Sequence, residues 1–342
     1  MTSLKQSFTR KGLSSLTTGI TLSLTLITAG CTNPNATGNT ASQTETSPTA
    51  TTTLRIGFTA ADGGKLPIGP IGWAEKQGYL DDEFQKIGVA DIEFYGFDSG
   101  PGVNEAVAAG ELDVSMNGDT PAIVGKTNGL KTRLINLNTV GINVYLVAKK
   151  NGPTSVDQLN RKTIGVRIGA IPHRYVVGLL EQAGLKGKVK IVNLTNSEGE
   201  AALSRGDIDA YAATAALAYR LKSQNYTVID EAANHPDLTG SNVTSVTEQF
   251  LAAHPDFVQT WYSVIDRATR ELKAQPQAYY QFVSQVNDEP LELSEFTSPL
   301  NQYPSEPLPG DGVERLRKTQ QFLLNQKIVK SEFKLDDWVY NK

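Results

Sequence analysis

Several turns along this chain place glycine, proline and small polar side chains between a predicted strand and a predicted helix. Asp98-Ser99-Gly100 and Asp119-Thr120 lie in two of these turns, and residues 169–173 and 196–200 form two more. A helix that begins in such a turn presents unpaired backbone N–H groups and the positive end of its dipole. Helix ends of this kind around one cleft are suited to bind an oxyanion, although any single turn of this composition is more often only structural.

The candidate ligand-binding residues lie at, or just after, the carboxyl ends of predicted strands, because ligands of open α/β sheets bind there. Ser99 and Thr120, with the backbone N–H groups near them, predict an oxyanion site that needs no cationic side chain. His173 or Arg174 would add positive charge. The full set comprises Asp62, Asp98, Ser99, Gly100, Asp119, Thr120, Gly169, His173, Glu198, Tyr211 and Thr214.

Acidic residues near the predicted cleft allow a second interpretation of the ligand. An ammonium or guanidinium group would pair with carboxylates such as Asp62, Asp98, Asp119, Glu198 and Asp209. A zwitterion would use both a helix end and a carboxylate. Each aspartate instead has the commoner alternative of capping its own helix, and His173 is either a ligand contact or a surface or helix-capping histidine. The charge of the ligand therefore stays open.

Strands and helices alternate through the body of the chain, which predicts an α/β fold. A strand at 54–58 precedes a run with helical spacing at 71–79, in which Gly78 is expected to end the helix. Residues 92–97 alternate between apolar and polar side chains as the next strand. Further strand patterns recur at 112–116, 163–166 and 190–194. The residues beyond position 53 are enough for two lobes of ordinary size.

Short segments in both halves of the chain carry a family resemblance. In the first half they lie at 97–100, 105–114 and 118–122, and in the second half at 157–166, 180–185, 192–194 and 201–210. In this order they resemble the taurine, aliphatic sulfonate and nitrate binding proteins, which are periplasmic substrate-binding proteins of ABC transporters. The resemblance covers nearly all of the chain after the N-terminal leader.

The resemblance implies a type 2 periplasmic-binding-protein fold, with two Rossmann-like lobes joined by a two-strand hinge. The outgoing crossover is expected at 143–148 and the return at 242–246. The first lobe then comprises 54–141, the second lobe with its crossover strands 142–243, and the return with the C-terminal helices 244–342. Helices at 257–273 and 313–326 are expected to pack on the first lobe. The implied function is capture of a small sulfonate by a monomeric receptor that closes on it and docks on a permease with its ATPase.

One position departs from the family pattern. Many relatives have a tryptophan shortly after the residue that matches Asp209, whereas this chain continues Tyr211-Ala212-Ala213. A smaller, less aromatic wall leaves other solutes open, namely nitrate, guanidine or another cation, or a thiamin-precursor pyrimidine.

The first 30 residues have the layout of a bacterial lipoprotein signal peptide. Lys5, Arg10 and Lys11 precede an uncharged stretch, and small residues lead into Cys31. This resembles a lipobox, in which the cysteine becomes the acylated N-terminus; a plain signal peptide that contains a cysteine is the alternative. Residues 31–53, rich in Thr, Ser and Asn, then predict a disordered tether. The protein is expected to be exported and anchored by lipid, in the periplasm or on the outer face of a membrane.

Composition argues against several other functions. Cys31 is the only cysteine, so the body of the chain has no disulfide, cysteine-based metal cluster or thiol nucleophile. A net charge of -4 argues against a nucleic-acid partner. No P-loop, dinucleotide fingerprint, zinc pair or nucleophile elbow is present, so neither catalysis nor a cofactor or metal is expected. Pyrimidine-forming enzymes of thiamin synthesis share the expected fold but carry a cysteine-rich motif that is missing here. Transcription regulators with this fold need a DNA-binding helix-turn-helix ahead of it, where this chain has the predicted signal peptide and tether.

Overall fold

The computed structural model describes residues 52–60 and 64–340. The predicted signal peptide, Cys31, most of the predicted tether and Asp62 lie outside these residues. Within the described ranges, no helix is both long and apolar enough to cross a membrane.

Ten strands of the described chain form two five-stranded sheets. In chain order they are β1 (Thr52–Thr59), β2 (Val89–Phe97), β3 (Val114–Gly118), β4 (Thr132–Ile142), β5 (Tyr145–Ala148), β6 (Thr163–Val166), β7 (Lys190–Asn193), β8 (Ala210–Ala213), β9 (Thr227–Glu231) and β10 (Gly240–Thr247). The first sheet has the order β2-β1-β3-β10-β4, and the second has the order β7-β6-β8-β5-β9.

The two sheets share one topology. In the first, β1 is parallel to both of its neighbours, and β10 is antiparallel to β3 and β4 on either side of it. In the second, β6 is parallel to β7 and β8, and β5 is antiparallel to β8 and β9. Each sheet therefore receives one antiparallel strand as the chain enters it from the other sheet. This confirms the predicted α/β fold of two lobes.

The chain passes between the lobes twice, between β4 and β5 and between β9 and β10. Residues 145–148 of the predicted outgoing crossover pair within the second sheet as β5. Residues 240–243, which sequence reasoning grouped with the second lobe, pair within the first sheet, since β10 is bonded to β3 and β4. An alternating apolar pattern shows that a strand exists but not which sheet it joins.

Four helices alternate with the strands of the first sheet and pack against it. They are α1 (Pro70–Gln77), α2 (Leu80–Gln85), α3 (Gly100–Ala108) and α4 (Asp119–Thr127). Gly78 ends α1 as predicted: with φ of 78° it is left-handed, and its N–H points to the carbonyls of Ala74 and Glu75.

The second lobe carries α5 (Ile171–Gln182), α6 (Asn196–Arg205) and α7 (Ala215–Ser223). A capping box starts α6, because the Thr195 hydroxyl accepts from the Glu198 N–H and the Glu198 carboxylate accepts from the Thr195 N–H. Residues 201–205 are the end of α6, and β8 follows at 210–213.

The C-terminal part returns to the first lobe with α8 (Glu248–Ala253), α9 (Phe257–Ala274), α10 (Pro276–Asn287), α11 (Leu291–Thr297), α12 (Gly310–Asn325) and α13 (Leu335–Trp338). Trp261 of α9 lies in one buried cluster with Leu54 and Ile56 of β1. Leu316 of α12 packs in another with Leu134 of β4. Both helices thus pack on the first lobe, as the family resemblance implies.

Candidate functional site

A cavity of about 140 Å³ lies between the two lobes, at the carboxyl ends of β1, β2, β3 and β6. We call it the interlobe cleft. Its described lining residues are Thr59, Asp98, Ser99, Gly100, Gly118, Pro121, Arg167, Ala170, Ile171, Pro172, Asn196, Tyr211, Ala212, Thr214 and Asn242. Of the predicted ligand-binding residues, the structure brings Asp98, Ser99, Gly100, Tyr211 and Thr214 together here.

The N-terminus of α3 forms one wall of the interlobe cleft. Ser99 is the N-cap residue, and its hydroxyl oxygen accepts from the Gly102 N–H at 3.5 Å. The hydroxyl proton is not used in this contact, so it remains a donor for a ligand. Glycine is required at position 100, because a Cβ there would lie 2.3 Å from Pro121 Cγ. The first turn of α3 can thus lie close against α4 and present its N–H groups to an anion.

Arg167 supplies the cationic side chain of the cleft, and sequence reasoning missed it. It is half-buried and lies directly after β6. Within the part of the chain that the structure describes, its guanidinium has no hydrogen bond or ion pair. Its charge helps to lower the pKa of the neighbouring Glu198 carboxyl, after the larger effect of hydrogen bonds from Thr195. The rule that selected Asp98, a position just past a strand end, would also have selected Arg167.

Asp98 and Arg167 are the two charged residues among the described residues that line the cleft. Asp98 is exposed and comes from the first lobe, whereas Arg167 comes from the second. Opposite charges on opposite walls suit an anion that also carries an ammonium group, because each charge then meets its counterpart.

The second lobe contributes a fixed polar wall. The Tyr211 hydroxyl lies 3.2 Å from both the Leu194 carbonyl oxygen and Asn196 Oδ1, and Asn196 Nδ2 donates to Thr214 Oγ1 at 3.3 Å. Burial raises the pKa of Tyr211 above its ordinary value, so the hydroxyl stays protonated at neutral pH. A Cβ at Gly199 would lie 2.2 Å from the Tyr211 ring, so glycine there lets the ring lie flat against α6.

Asp119 and Thr120, both predicted as ligand contacts, lie beneath the cleft and are fully buried. Asp119 Oδ2 accepts from Arg174 Nη2 at 3.2 Å and from the Ser241 N–H at 3.0 Å. Thr120 Oγ1 accepts from Arg174 Nε at 3.1 Å. The structure thus gives these two residues, and Arg174, a role in joining the lobes, because a buried guanidinium needs a carboxylate and several acceptors.

Gly169, His173 and Glu198 are not among the described residues that line the cleft. The Gly169 N–H donates to His173 Nδ1 at 3.4 Å, which is the helix-capping alternative for this histidine. Burial lowers the pKa of His173 below its ordinary value of 6.5, consistent with a neutral ring that accepts a hydrogen bond. Glu198 serves the capping box of α6. Asp62 lies outside the described residues, and its prediction as a ligand contact stays a prediction.

Comparison with known proteins gives a family and named relatives. The model of the family described as "NMT1/THI5 like" matches residues 68–279. A putative aliphatic sulfonates-binding protein of Bacillus subtilis is 26% identical over 295 residues, which cover 84% of this chain and 86% of the relative. The taurine-binding periplasmic protein of Escherichia coli is 27% identical over 189 residues, covering 54% of this chain and 59% of the relative.

Solved structures show that the fold is that of periplasmic binding proteins. The alkanesulfonate-binding protein SsuA of Xanthomonas axonopodis, bound to MOPS, matches with a TM-score of 0.70 and 20% identity, covering 85% of this chain and 98% of that chain. The desulfurization enzyme DSZB, in complex with biphenyl-2-sulfinic acid, matches with a TM-score of 0.67 and 17% identity, covering 85% and 96%. Receptors and an enzyme therefore share this fold.

Proposed function

Because the chain belongs to the NMT1/THI5-like family, we propose that it is the solute-binding component of an ABC importer and captures a small sulfonate such as taurine or an alkanesulfonate. The relatives that carry the names of sulfonate-binding and taurine-binding proteins support this role. The partners are then a permease and its ATPase, and the receptor acts as a monomer.

The single observation that carries the proposal is the position of Arg167 opposite the N-terminus of α3 in the interlobe cleft. A sulfonate has three oxygens, so it can accept hydrogen bonds from the guanidinium and from Ser99 and the first N–H groups of α3 at once. These donors come from different lobes. A sulfonate held by both lobes stabilises the closed form over the open form, and this difference is what a permease can recognise.

The fold does not by itself separate a receptor from an enzyme, since DSZB has the same fold. We favour the receptor because the curated relatives are binding proteins. The site also provides the groups that binding needs. Arg167, Asp98 and the Ser99 hydroxyl can bind a ligand through hydrogen bonds and ion pairs, without forming a covalent bond. Turnover of taurine or an alkanesulfonate by the purified chain would contradict the receptor role.

We further infer that residues 1–30 are removed and that Cys31 is acylated, so that residues 31–53 tether the receptor to a membrane after export. The supporting observation is the charge and small-residue pattern before Cys31. Expression in a bacterial host with labelled palmitate tests this inference. The wild type should carry label and Cys31→Ala should not; equal labelling of both would contradict the anchor.

A thermal-shift screen of the full-length chain in detergent tests the ligand class. Taurine, ethanesulfonate, nitrate, guanidinium and a thiamin-precursor pyrimidine serve as probes. A ligand at 100 times its dissociation constant stabilises the folded state by about 2.7 kcal/mol. We expect a shift with the two sulfonates. A shift with guanidinium alone, or with the pyrimidine alone, would overturn the assignment.

A further inference from the structure

A second cavity of about 170 Å³ adjoins the interlobe cleft within the first lobe. We call it the side cavity. It lies between the carboxyl ends of β1 and β3, β4, helix α9 and the segment after α11. Thr59 and Asn242 line both cavities. These two residues therefore lie at the boundary between the side cavity and the interlobe cleft.

The inner surface of the side cavity is mainly apolar. Phe58, Met116, Leu137 and Ile265 contribute to it from β1, β3, β4 and α9. Such a surface binds methylene groups, because their burial removes apolar area from water. An alkyl chain that enters from the interlobe cleft therefore finds a favourable environment.

The charged residues of the side cavity are acidic. Asp266 and Glu306 are the only charged residues among its described lining residues. Asp266 pairs with Arg270, with Oδ2 and Nη1 2.6 Å apart. Glu306 is exposed at the rim, and no residue in the described ranges forms an ion pair or hydrogen bond with its carboxylate. The side cavity is thus suited to a cationic group and disfavours a second anion.

Polar side chains without partners also line the route between the cavities. Thr139 Oγ1 in the side cavity is buried and has no hydrogen-bond partner. The side chains of Thr59 and Asn242 likewise form no hydrogen bond with any described residue. Buried polar groups normally find partners in the protein or in a ligand. Thr59 and Asn242 are half-buried and are therefore available to a ligand that carries polar hydrogens, whereas Thr139 Oγ1 has almost no accessible surface.

We propose that the preferred ligand is an ω-aminoalkanesulfonate longer than taurine, whose sulfonate binds at Arg167 and whose alkyl chain leads an ammonium group into the side cavity toward Glu306. This inference rests on the proposed function, because the sulfonate end uses the same interlobe cleft. It adds the length and the second charge of the ligand. Taurine would instead pair with Arg167 and Asp98, the two charged residues that line the interlobe cleft in the described chain.

The test compares two ligand series by isothermal titration calorimetry on the full-length chain in detergent. One series is ω-aminoalkanesulfonates of two to six carbons, and the other is alkanesulfonates of the same lengths. The variants are Glu306→Gln alone and with Asp266→Asn. Glu332→Gln is the matched control, since Glu332 is also exposed and is not among the residues that line either cavity.

In the wild type, we expect the amino series to bind more tightly than the plain series as the alkyl chain lengthens, with an advantage of about two- to five-fold at the best length. Glu306→Gln should reduce this advantage and the double variant should abolish it. Glu332→Gln should behave as the wild type. An equal affinity of the two series at every length, or an unchanged advantage in the double variant, would overturn the inference while sulfonate capture stands. No binding of any sulfonate would overturn the proposed function itself.

Discussion

Arg174 of α5 and Asp119 of α4 form an ion pair between the two lobes, with Nη2 and Oδ2 3.2 Å apart and both side chains fully buried. Arg174 also donates to the carbonyl oxygens of Asp237 and Thr239, in the segment that returns to the first lobe. One guanidinium therefore holds the second lobe against the first lobe and the connection between them.

Replacing Arg174 with Met should lower the free energy of unfolding by about 3–5 kcal/mol, because it leaves the Asp119 carboxylate buried without its cation. Urea denaturation of the full-length chain measures this change. The double variant Arg174→Met/Asp119→Asn should lose less than the single variant, since no charge then remains buried. A loss below about 1 kcal/mol in the single variant would show that the pair does not tie the lobes.

Replacing Gly199 with Ala should weaken sulfonate binding, because the new Cβ would lie 2.2 Å from the Tyr211 ring and force that ring toward the cleft. The free energy of unfolding should fall by about 1–3 kcal/mol as well. Gly310→Ala is the matched control, since a Cβ at the start of α12 meets no atom within 4 Å. Titration with ethanesulfonate tests the prediction, and unchanged affinity in Gly199→Ala would contradict the position of Tyr211 in the wall.

His173 should make stability depend on pH. Burial lowers its pKa in the folded state below 6.5, so the unfolded chain binds the proton more readily. Its contribution to stability is therefore present above pH 6.5 and is lost as the pH falls through the folded-state pKa. Denaturation at pH 7.5 and pH 5 should show a smaller loss for His173→Asn than for the wild type, because other titrating groups cancel in the comparison. An identical loss in both chains would count against a buried neutral His173.

Phe296 makes a second contact between the lobes. Its ring centroid lies 5.8 Å from that of Tyr145 in β5 and 5.5 Å from that of Tyr219 in α7. Such ring pairs contribute about 0.5–1.5 kcal/mol each. Phe296→Ala should therefore favour the open form, which small-angle scattering would detect as a larger radius of gyration without ligand. An unchanged radius, with sulfonate affinity also unchanged, would exclude this contact from the closing equilibrium.

The order of strands and helices was accessible to sequence reasoning because local patterns determine it. The end of α1 at Gly78 and the start of α3 after Ser99 follow from residue types whose backbone preferences are local. The packing of α9 and α12 on the first lobe follows from the family resemblance and their apolar faces.

Side-chain pairing between distant segments was not accessible. Arg174 and Asp119 are 55 positions apart and come from different lobes, so no local sequence pattern shows that the two side chains form an ion pair. Asp119 was therefore predicted to face a ligand. Arg167 was missed for another reason. Its position just past the end of β6 is that of a ligand-binding residue, but only hydroxyl and carboxylate side chains were considered as ligand contacts at strand ends. The side cavity depends on where α9 and the segment after α11 meet the strands, which a local pattern does not determine.

Calorimetric titration of ethanesulfonate into the wild type, Arg167→Gln and Arg205→Gln tests capture of a sulfonate at Arg167 most directly. Arg205 lies at the opposite end of α6 from the cleft residue Asn196, and its ion pair with Asp207 is exposed, so its loss controls for the change in net charge. We predict one site per chain in the wild type and in Arg205→Gln, and an affinity about ten- to hundred-fold weaker in Arg167→Gln, as expected for a lost charge-assisted hydrogen bond. Equal affinity in all three proteins, or no binding to the wild type, would contradict the account.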